Sequence, residues 1–489
     1  MHKFNFIKKG RTLFLIALFI VIGPISGAHS APPKKTDVLI IGAGLSGLAT
    51  AYELKKKGIP YHILEILPRV GGRVRTIQYE RPGGKGFFTD SGMEEYWESN
   101  PAIKILEELK LPLRKDVALS SIVLEGKLYE LGDETQDEFY NRIFTAEERK
   151  ALSKFKADVE PTVKELVKNQ KEGTKVKTEL MKLKDISFKD WVLAKKLPSK
   201  VSDWIRVSIE CEIGSHWDRL SALDGLMEFH IFLGKGELSY RVIGGNDQFT
   251  SRFADHVGRK NISLSHRVTK IKTVAKKVTI SFLNVEKHIN GTIEAKYVVN
   301  TIPLFRLFEV QFEPALSQSK RGAMDSMSWG AYFKAHFFLK PEAEKLWIKK
   351  EGSILPILSD SVLGVIYDGN PDQKKPPVRI ISTLVHGDFA EQFNLSRLDD
   401  VRKMMVESFD KFWPGFSKYL IDVEFYRYHP RAISGWPVGR SRMDELSDEI
   451  RKPENRVYFA GDFTETTHSD GAFISAQRVA KQIIKEEKK

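Results

Sequence analysis

The chain has 489 residues, too many for a single hydrophobic core, so two or more domains are expected. Its only cysteine, Cys211, excludes an internal disulfide and a cysteine-based zinc site, and the histidines form no HExxH motif, so we expect no metal centre. The formal net charge of +13 could attract nucleic acid, but the lysines lie mainly among acidic residues on predicted helices. That pattern favours solvated helix faces and no nucleic-acid partner.

Residues 1–30 have the three parts of a signal peptide: a basic start, an apolar run from Leu13 to about Ile25, and the small residues of "SGAHS". We therefore expect an exported protein, either periplasmic or secreted. The apolar run is short for a membrane span. An uncleaved anchor is the alternative, and in that case the membrane would be a partner.

Residues 37–65 predict a strand, a glycine turn, a helix and a second strand, the start of a dinucleotide site. Gly42 allows the tight turn, Gly44 lets the backbone approach a pyrophosphate, and Gly47 lets the helix pack close to the strand. Ser46, in the first turn of the helix, is assigned to the same site. Glu65 ends the second strand, where it can accept hydrogen bonds from ribose hydroxyls and would repel the 2′-phosphate of NADP.

The composition and the predicted elements change several times along the rest of the chain. Residues 113–240 are rich in lysine and helical patterns, 241–303 contain strands with a hairpin, and 304–423 are mixed. The last segment predicts a strand, a loop and an amphipathic helix, whose buried stripe consists of Ala476, Val479, Ala480, Ile483 and Ile484.

Two motifs at opposite ends of the chain carry a family resemblance. "EILPRVGGRVRT" places Gly71, Gly72 and Arg73 shortly after Glu65, and "VYFAGDFTETTHSDGAFISA" follows about 390 residues later. Together they resemble the flavin-containing amine oxidase superfamily, which includes monoamine, polyamine and L-amino acid oxidases. The resemblance implies an FAD whose pyrophosphate contacts Arg73, a match of guanidinium and diphosphate geometry.

The resemblance assigns further residues to the FAD. Asp462 would bind the ribityl–phosphate region, and the helix that points at the flavin would begin at Gly471 and Ala472. Val268 would contact the adenine through its backbone. The same site includes Gly92, Met93 and Gly461.

The family also implies an α/β fold in which a Rossmann-like FAD-binding domain is interleaved with an α+β substrate-binding domain. The FAD-binding domain would comprise residues 36–112, 241–303 and 424–489. The substrate domain would comprise residues 113–240 and 304–423.

Three residues are candidates for the reaction. In "WGAYFKAHFFL", Lys334 matches the family lysine that a water links to flavin N5; the alternative is a solvent-facing lysine on an edge strand. Trp436 and His468 lie near the positions of two aromatic residues that guide the amine, although His468 could equally be a loop histidine that contacts FAD. No cysteine occurs in "RAISGWPVGRSR", where relatives attach flavin, so we expect non-covalent FAD.

Glu94 and Glu95 bear on the substrate. L-amino acid oxidases have a carboxylate-binding arginine near this stretch, whereas two carboxylates would attract a cation; the alternative is exposed loop acids. We therefore predict an amine oxidase that forms an imine and reduces dioxygen to hydrogen peroxide. One alternative is a desaturase or porphyrinogen-oxidase-like enzyme on a lipophilic substrate, and another is a non-catalytic FAD-fold binding protein.

Overall fold

A computed structural model describes residues 31–81, 84–117, 119–233, 237–350, 352–373, 376–427 and 431–488. The predicted signal peptide, residues 1–30, lies outside the described residues. Over the part of the chain that is described, no helix is both long and apolar enough to cross a membrane.

The first sheet contains eight strands of the described chain, mostly parallel at its centre. Its first strand, Lys35–Ile41, pairs in parallel with Tyr61–Leu64 on one side and with Ile289–Asn300 on the other. Helices cover this central strand, which explains why it is apolar without alternation. The remaining strands are Ile262–Ser263, His266–Val274, Lys277–Asn284, Gln311–Glu313 and Val457–Phe459. The predicted Rossmann-like arrangement is thus confirmed.

Three helices pack against the first sheet: Leu45–Lys55, Asp247–Val257 and Ser469–Glu487. The last of them has the predicted amphipathic stripe. Ala476, Val479, Ala480 and Ile483 are at most 1% exposed, and Ile484 packs partly buried beside them. Burial of this stripe fixes the beginning of the C-terminal helix against the first helix of the chain.

The second sheet comprises seven strands in the described ranges, paired mainly antiparallel. Tyr332–Leu339 lies inside it, between Arg379–His386 and Leu420–Tyr426. Helices Gly387–Leu395 and Leu398–Phe412 cover one face. The other strands are Ser121–Leu124, Lys127–Tyr129, Ile357–Leu358 and Val365–Asp368. This sheet, with the helices described next, forms the α+β part of the predicted fold.

Six helices form a separate cluster beside the second sheet: Gln136–Ile143, Ala146–Glu172, Thr178–Met181, Phe188–Leu193, Ser199–Ile213 and Ala222–Glu228. The longest, Ala146–Glu172, has clear sequence limits. Thr145 and Glu148 form a capping box at its start, and Gly173 ends it in the left-handed conformation.

Smaller elements lie outside the two large sheets. Strands Thr76–Arg81 and Gly84–Asp90 form a hairpin; Tyr96–Trp97, Leu113–Val117 and Leu238–Val242 form a three-stranded sheet; Ser328–Gly330 pairs with Ile433–Gly435, and Ile348–Lys349 with Gly352–Ser353. The remaining helices are Ala102–Glu108, Leu304–Leu307, Gln318–Asp325 and Glu445–Arg451.

Two predicted domain boundaries need correction. Strand Gln311–Glu313 pairs with His266–Val274 in the first sheet, and Ala323 packs into the same apolar cluster as Leu39. Residues 304–325 therefore belong with the first sheet and not with the substrate domain. The boundary after residue 423 falls inside Leu420–Tyr426, a strand of the second sheet. Single-sequence patterns do not reveal which sheet a short strand joins.

Candidate active site

The turn after the first strand brings a helix unusually close to the backbone. Gly42 has a φ of +105°, a conformation that side chains rarely adopt. A Cβ at position 47 would overlap the carbonyl oxygen of Gly42 and touch Ile40. Helix Leu45–Lys55 therefore begins directly at the turn, where its free N–H groups are available to an anion.

A second glycine turn faces the first. Gly71 forms a bridge with Gly44, and its N–H donates to the carbonyl of Ala43 at 2.8 Å. A Cβ at Gly72 would lie 3.3 Å from the Cα of Gly44. We call the turns 42–47 and 71–72 the glycine cradle, because backbone without side chains lines both sides, as close approach of a pyrophosphate requires.

Glu65 lies buried beside the glycine cradle. Its two carboxylate oxygens accept backbone N–H groups from Ala43 at 2.6 Å and Leu67 at 2.8 Å. Burial raises the pKa of Glu65, and these hydrogen bonds act in the opposite direction. Each oxygen retains a further lone pair, so the side chain can still accept a ribose hydroxyl. The nearby strand that contains Val268 is held by a 2.7 Å hydrogen bond from the His266 N–H to the Glu65 carbonyl.

Arg73 and Asp462 pair with each other, 389 residues apart in sequence. The guanidinium donates to both Asp462 oxygens, at 2.5 and 2.9 Å, and to the carbonyl of Ala432 at 2.6 Å. The Asp462 side chain is 6% exposed, whereas that of Arg73 is 40% exposed. The sequence assigned each residue to the cofactor separately, but the structure shows that Asp462 also orients Arg73.

The C-terminal helix begins next to the first helix of the chain. Ser475 accepts the N–H of Gly461 at 2.9 Å, and its Oγ lies 3.3 Å from that of Ser46. A Cβ at Gly471 would lie 2.6 Å from Thr466 Oγ1, so this helix start is tightly packed. Ala472, the next residue, is 8% exposed. The positive ends of two helices are thus brought together, which favours a bound anion.

Gly92 and Met93 link the Arg73 segment to Lys334. The Met93 N–H donates to the Arg73 carbonyl at 3.1 Å, and a Cβ at Gly92 would overlap that carbonyl. The Gly92 carbonyl accepts a hydrogen bond from Lys334 Nζ at 3.1 Å. Lys334 therefore contacts Gly92, and the next residue, Met93, is hydrogen-bonded to Arg73.

Lys334 is completely buried and forms an ion pair with Glu94. It lies on the interior strand Tyr332–Leu339, so the solvent-facing alternative is wrong. His336 follows on the same face and is completely buried. The pKa of His336 is held well below its ordinary value, mainly by burial and secondarily by the positive charge of Lys334. The pKa of nearby Asp90 is raised to about 7, mainly by burial and secondarily by the negative charge of Glu94.

A cavity of about 620 Å³ opens among the second sheet, the helical cluster and the three-stranded sheet. We call it the charged cavity. Its wall includes five carboxylates, Glu95, Asp116, Glu212, Asp368 and Asp372, and three arginines, Arg114, Arg241 and Arg379. Trp97, Tyr367 and Cys211 are also in the wall.

Each arginine of the charged cavity has an acidic partner. Arg114 lies 2.9 Å from Asp116, and Arg379 lies 3.1 Å from Asp368. Arg241 lies 3.5 Å from Glu94 and 3.6 Å from Glu95. The side chains of Glu94 and Glu95 are 10% and 21% exposed, so the alternative of exposed loop acids is wrong for both. Sequence reasoning missed Arg241, because nothing in "ELSYRVIGG" marks its side chain as facing a cavity.

His468 lies between two carboxylates just before the C-terminal helix. Its Nε2 is 3.0 Å from Glu228 and 3.4 Å from Glu212. Burial alone would lower the pKa of His468, but these two carboxylates raise it to about 9. Glu212 also accepts a hydrogen bond from Trp97 at 3.2 Å, and burial raises its pKa. Glu212 lines the charged cavity, so the His468 imidazolium is linked to the cavity wall by one ion pair.

Trp436 lies elsewhere. Its side chain is 1% exposed in the apolar cluster of the first sheet, and its Nε1 donates to Ser447 Oγ at 2.9 Å. Its ring does not line the charged cavity, and the guanidinium carbon of Arg442 lies 5.0 Å from the ring centroid. The prediction that Trp436 guides the amine is therefore wrong, and the residue is part of the core.

The described residues contain no group of three His, Cys, Asp or Glu side chains that could hold a metal ion. A family profile described as flavin-containing amine oxidoreductase matches residues 45–484.

Individual relatives extend over almost the whole chain. A probable flavin-containing monoamine oxidase A of Dictyostelium discoideum is 24% identical, covering 91% of this chain and 97% of its own length. An L-amino-acid oxidase of Bothrops moojeni is 23% identical, with 95% and 92% covered. The structure of wild-type putrescine oxidase bound to putrescine has 20% identity and a TM-score of 0.74, with 92% and 99% covered. The chain thus belongs to the flavin-containing amine oxidoreductase family and is a flavin-dependent oxidoreductase.

Proposed function

We propose that the protein is an exported enzyme that binds FAD non-covalently and oxidises a small amine to an imine, with dioxygen reduced to hydrogen peroxide. The observation that carries the substrate class is the charged cavity, whose wall has five carboxylates against three arginines. Such a wall attracts an ammonium group and repels an anion. Export is proposed from the signal-peptide pattern of residues 1–30.

The residues present fit FAD better than a flavin mononucleotide. The glycine cradle and the two helix starts suit a pyrophosphate, and Glu65 lies beside them with lone pairs for the adenosine ribose. Arg73, held by Asp462 with part of its guanidinium exposed, can add a charge-assisted contact to the diphosphate. FMN has neither the second phosphate nor the adenosine.

The proposal of non-covalent binding is supported by the absence of cysteine from "RAISGWPVGRSR" and by the state of Cys211. Cys211 is 6% exposed, and its Sγ lies 3.4 Å from Nε2 of His386. Burial raises the pKa of its thiol well above the ordinary value, so the thiolate that would react with a flavin is suppressed.

The flavin, when bound, accepts a hydride from the carbon beside the amine and passes the electrons to dioxygen. The protein's own side chains bind and orient the substrate. Glu95 and Glu212 attract the ammonium group, while Trp97 and Tyr367 supply aromatic surface. Lys334, 3.1 Å from the Gly92 carbonyl, provides a buried positive charge between the Arg73 segment and the second sheet.

The other functions considered fit less well. Apolar side chains also line the charged cavity, but its five carboxylates favour a cationic substrate over the lipophilic substrate of a desaturase or porphyrinogen oxidase. The non-catalytic alternative is wrong, because the family consists of flavin oxidoreductases. Oxidation of an L-amino acid is the second candidate, since Arg241 in the cavity wall could bind a carboxylate.

Incubation of the purified protein with a panel of amines and amino acids, with peroxide detection, tests the proposal. We expect peroxide with at least one amine and none with amino acids. Acid precipitation should release free FAD into the supernatant, whereas colour that stays in the pellet would contradict non-covalent binding. Peroxide formation only with amino acids would contradict the proposed substrate class.

A further inference from the structure

We propose that Arg241 is a latent carboxylate-binding group that Glu94 and Glu95 keep neutralised, so that the charged cavity selects amines without a carboxylate. This inference rests on the proposed function, since it narrows the class of amine accepted. Its central prediction concerns ligand binding and can be tested without any turnover.

Arg241 is placed by strand Leu238–Val242 and lies over the ring of Tyr367, with its guanidinium carbon 5.1 Å from the ring centroid. Its contacts with Glu94 and Glu95, at 3.5 and 3.6 Å, are ion pairs longer than ordinary hydrogen bonds. Its buried Nε has no hydrogen-bond partner in the part of the chain that is described. The charge of the guanidinium is therefore compensated through long ion pairs at NH1 and NH2, and its Nε–H forms no hydrogen bond within the described residues.

A guanidinium with free donors is suited to a planar, two-pronged partner. Its N–H groups form a rigid fork that matches the two oxygens of a carboxylate. Arg241 and Glu95 both line the charged cavity, so a bound ligand can reach the pair. The ligand class that this geometry would recognise is thus a carboxylate.

Glu94 and Glu95 do not contribute equally to keeping a substrate carboxylate away from Arg241. Glu94 is shared, since it also pairs with the buried Lys334. The described ion pairs of Glu95 involve only Arg241. A substrate carboxylate beside Arg241 would have to approach Glu95 directly, and like charges in close contact are strongly unfavourable. Glu95 is therefore the specificity-determining residue whose removal should open Arg241.

The test measures binding of 3-phenylpropanoate and of its neutral analogue 3-phenylpropanamide to the flavin-loaded protein by isothermal titration calorimetry. The variants are Glu95→Gln, Glu95→Gln combined with Arg241→Gln, and the matched control Glu212→Gln. Glu212 is another carboxylate of the cavity wall, but it contacts Trp97 and His468 and not Arg241.

We expect Glu95→Gln to bind the carboxylate on the order of tenfold more tightly than the wild type, with no comparable gain for the amide. The gain should vanish in the double variant and be much smaller in Glu212→Gln, which removes a wall charge but no ion-pair partner of Arg241. Equal carboxylate binding by wild type and Glu95→Gln would overturn the proposal, and so would a gain that persists without Arg241 or that Glu212→Gln reproduces.

If the double variant does not fold, Glu95→Asp provides a second reading. It keeps the negative charge, so it should gain no carboxylate affinity, and a gain equal to that of Glu95→Gln would overturn the proposal. Failure of the proposed function would appear differently: no amine would yield peroxide, while the ligand measurements would still decide the role of Glu95.

Discussion

The glycine cradle and the charged cavity are built in opposite ways. In the cradle, glycines bring backbone to within contact distance of backbone, and one ion pair, Arg73–Asp462, supplies the side-chain charge. In the cavity, paired carboxylates and arginines form much of the wall. Changes at the glycines of the cradle should therefore act through sterics on folding and cofactor retention. Changes at charged residues should act through electrostatics, on cofactor retention at Arg73 and on selectivity or pH dependence at the charged cavity.

The substitution Gly47→Val should have the largest effect, and it tests the steric role of the cradle glycines. A side chain there would overlap the Gly42 carbonyl, which is backbone and cannot move aside. We expect a loss of about 3 kcal/mol or more in the free energy of unfolding, with loss of bound flavin. Urea unfolding and flavin absorbance measure both effects. Gly322→Ala is the control: it lies in a helix with nothing within 4 Å, and it should stabilise by about 0.5–1 kcal/mol.

Arg73→Ala should weaken flavin retention by about 2–3 kcal/mol, because it removes a charge-assisted contact and leaves Asp462 buried without its cation. Flavin that remains after gel filtration, measured by absorbance, reports the effect. Lys334→Met is the comparison, since Lys334 belongs to the second sheet, and it should retain the cofactor. Equal flavin loss in the two variants would refute these separate roles.

His468→Gln should alter the pH dependence of stability. The pKa of His468 is raised to about 9, so its stabilising contribution is complete below about pH 6.5 and is lost as the pH rises through 9. Allowing for partial solvent screening, we expect a contribution of about 2 kcal/mol at pH 6. Urea unfolding at pH 6 and pH 9.5 should show a smaller pH difference for the variant than for the wild type. An identical difference would show that the ion pairs with Glu228 and Glu212 contribute nothing.

Lys334→Met should have the smallest effect on function, chiefly on the reaction with dioxygen, because Arg241 still pairs with Glu94 when the ammonium is removed. The ammonium stabilises negative charge that develops on dioxygen, but its pairing with Glu94 offsets part of that effect. We expect this step to slow on the order of tenfold, with reduction by the amine less affected. Stopped-flow measurement of each half-reaction decides the point, and two unchanged rates would remove Lys334 from the mechanism.

The difference between the glycine cradle and the charged cavity also explains which features of the site can be predicted from the sequence. Gly42, Gly47 and Glu65 lie within one strand–turn–helix–strand unit, so their spacing alone predicts their geometry. The Arg73–Asp462 pair and the Glu94–Arg241 contact join segments that are distant in sequence. The sequence therefore assigns Arg73 and Asp462 to the cofactor but does not predict that they pair. Trp436 was misplaced because its position in the motif does not reveal whether the ring faces the site or packs into the core.

The most direct test of the account uses matched pairs of an amine and the amino acid that differs from it only by a carboxylate, such as 2-phenylethylamine and phenylalanine. Each is mixed anaerobically with the flavin-loaded protein, and the flavin absorbance is followed by stopped-flow spectroscopy. The account predicts that amines bleach the flavin and that their amino acid counterparts do not. Bleaching by the amino acids, with the amines inert, would contradict it.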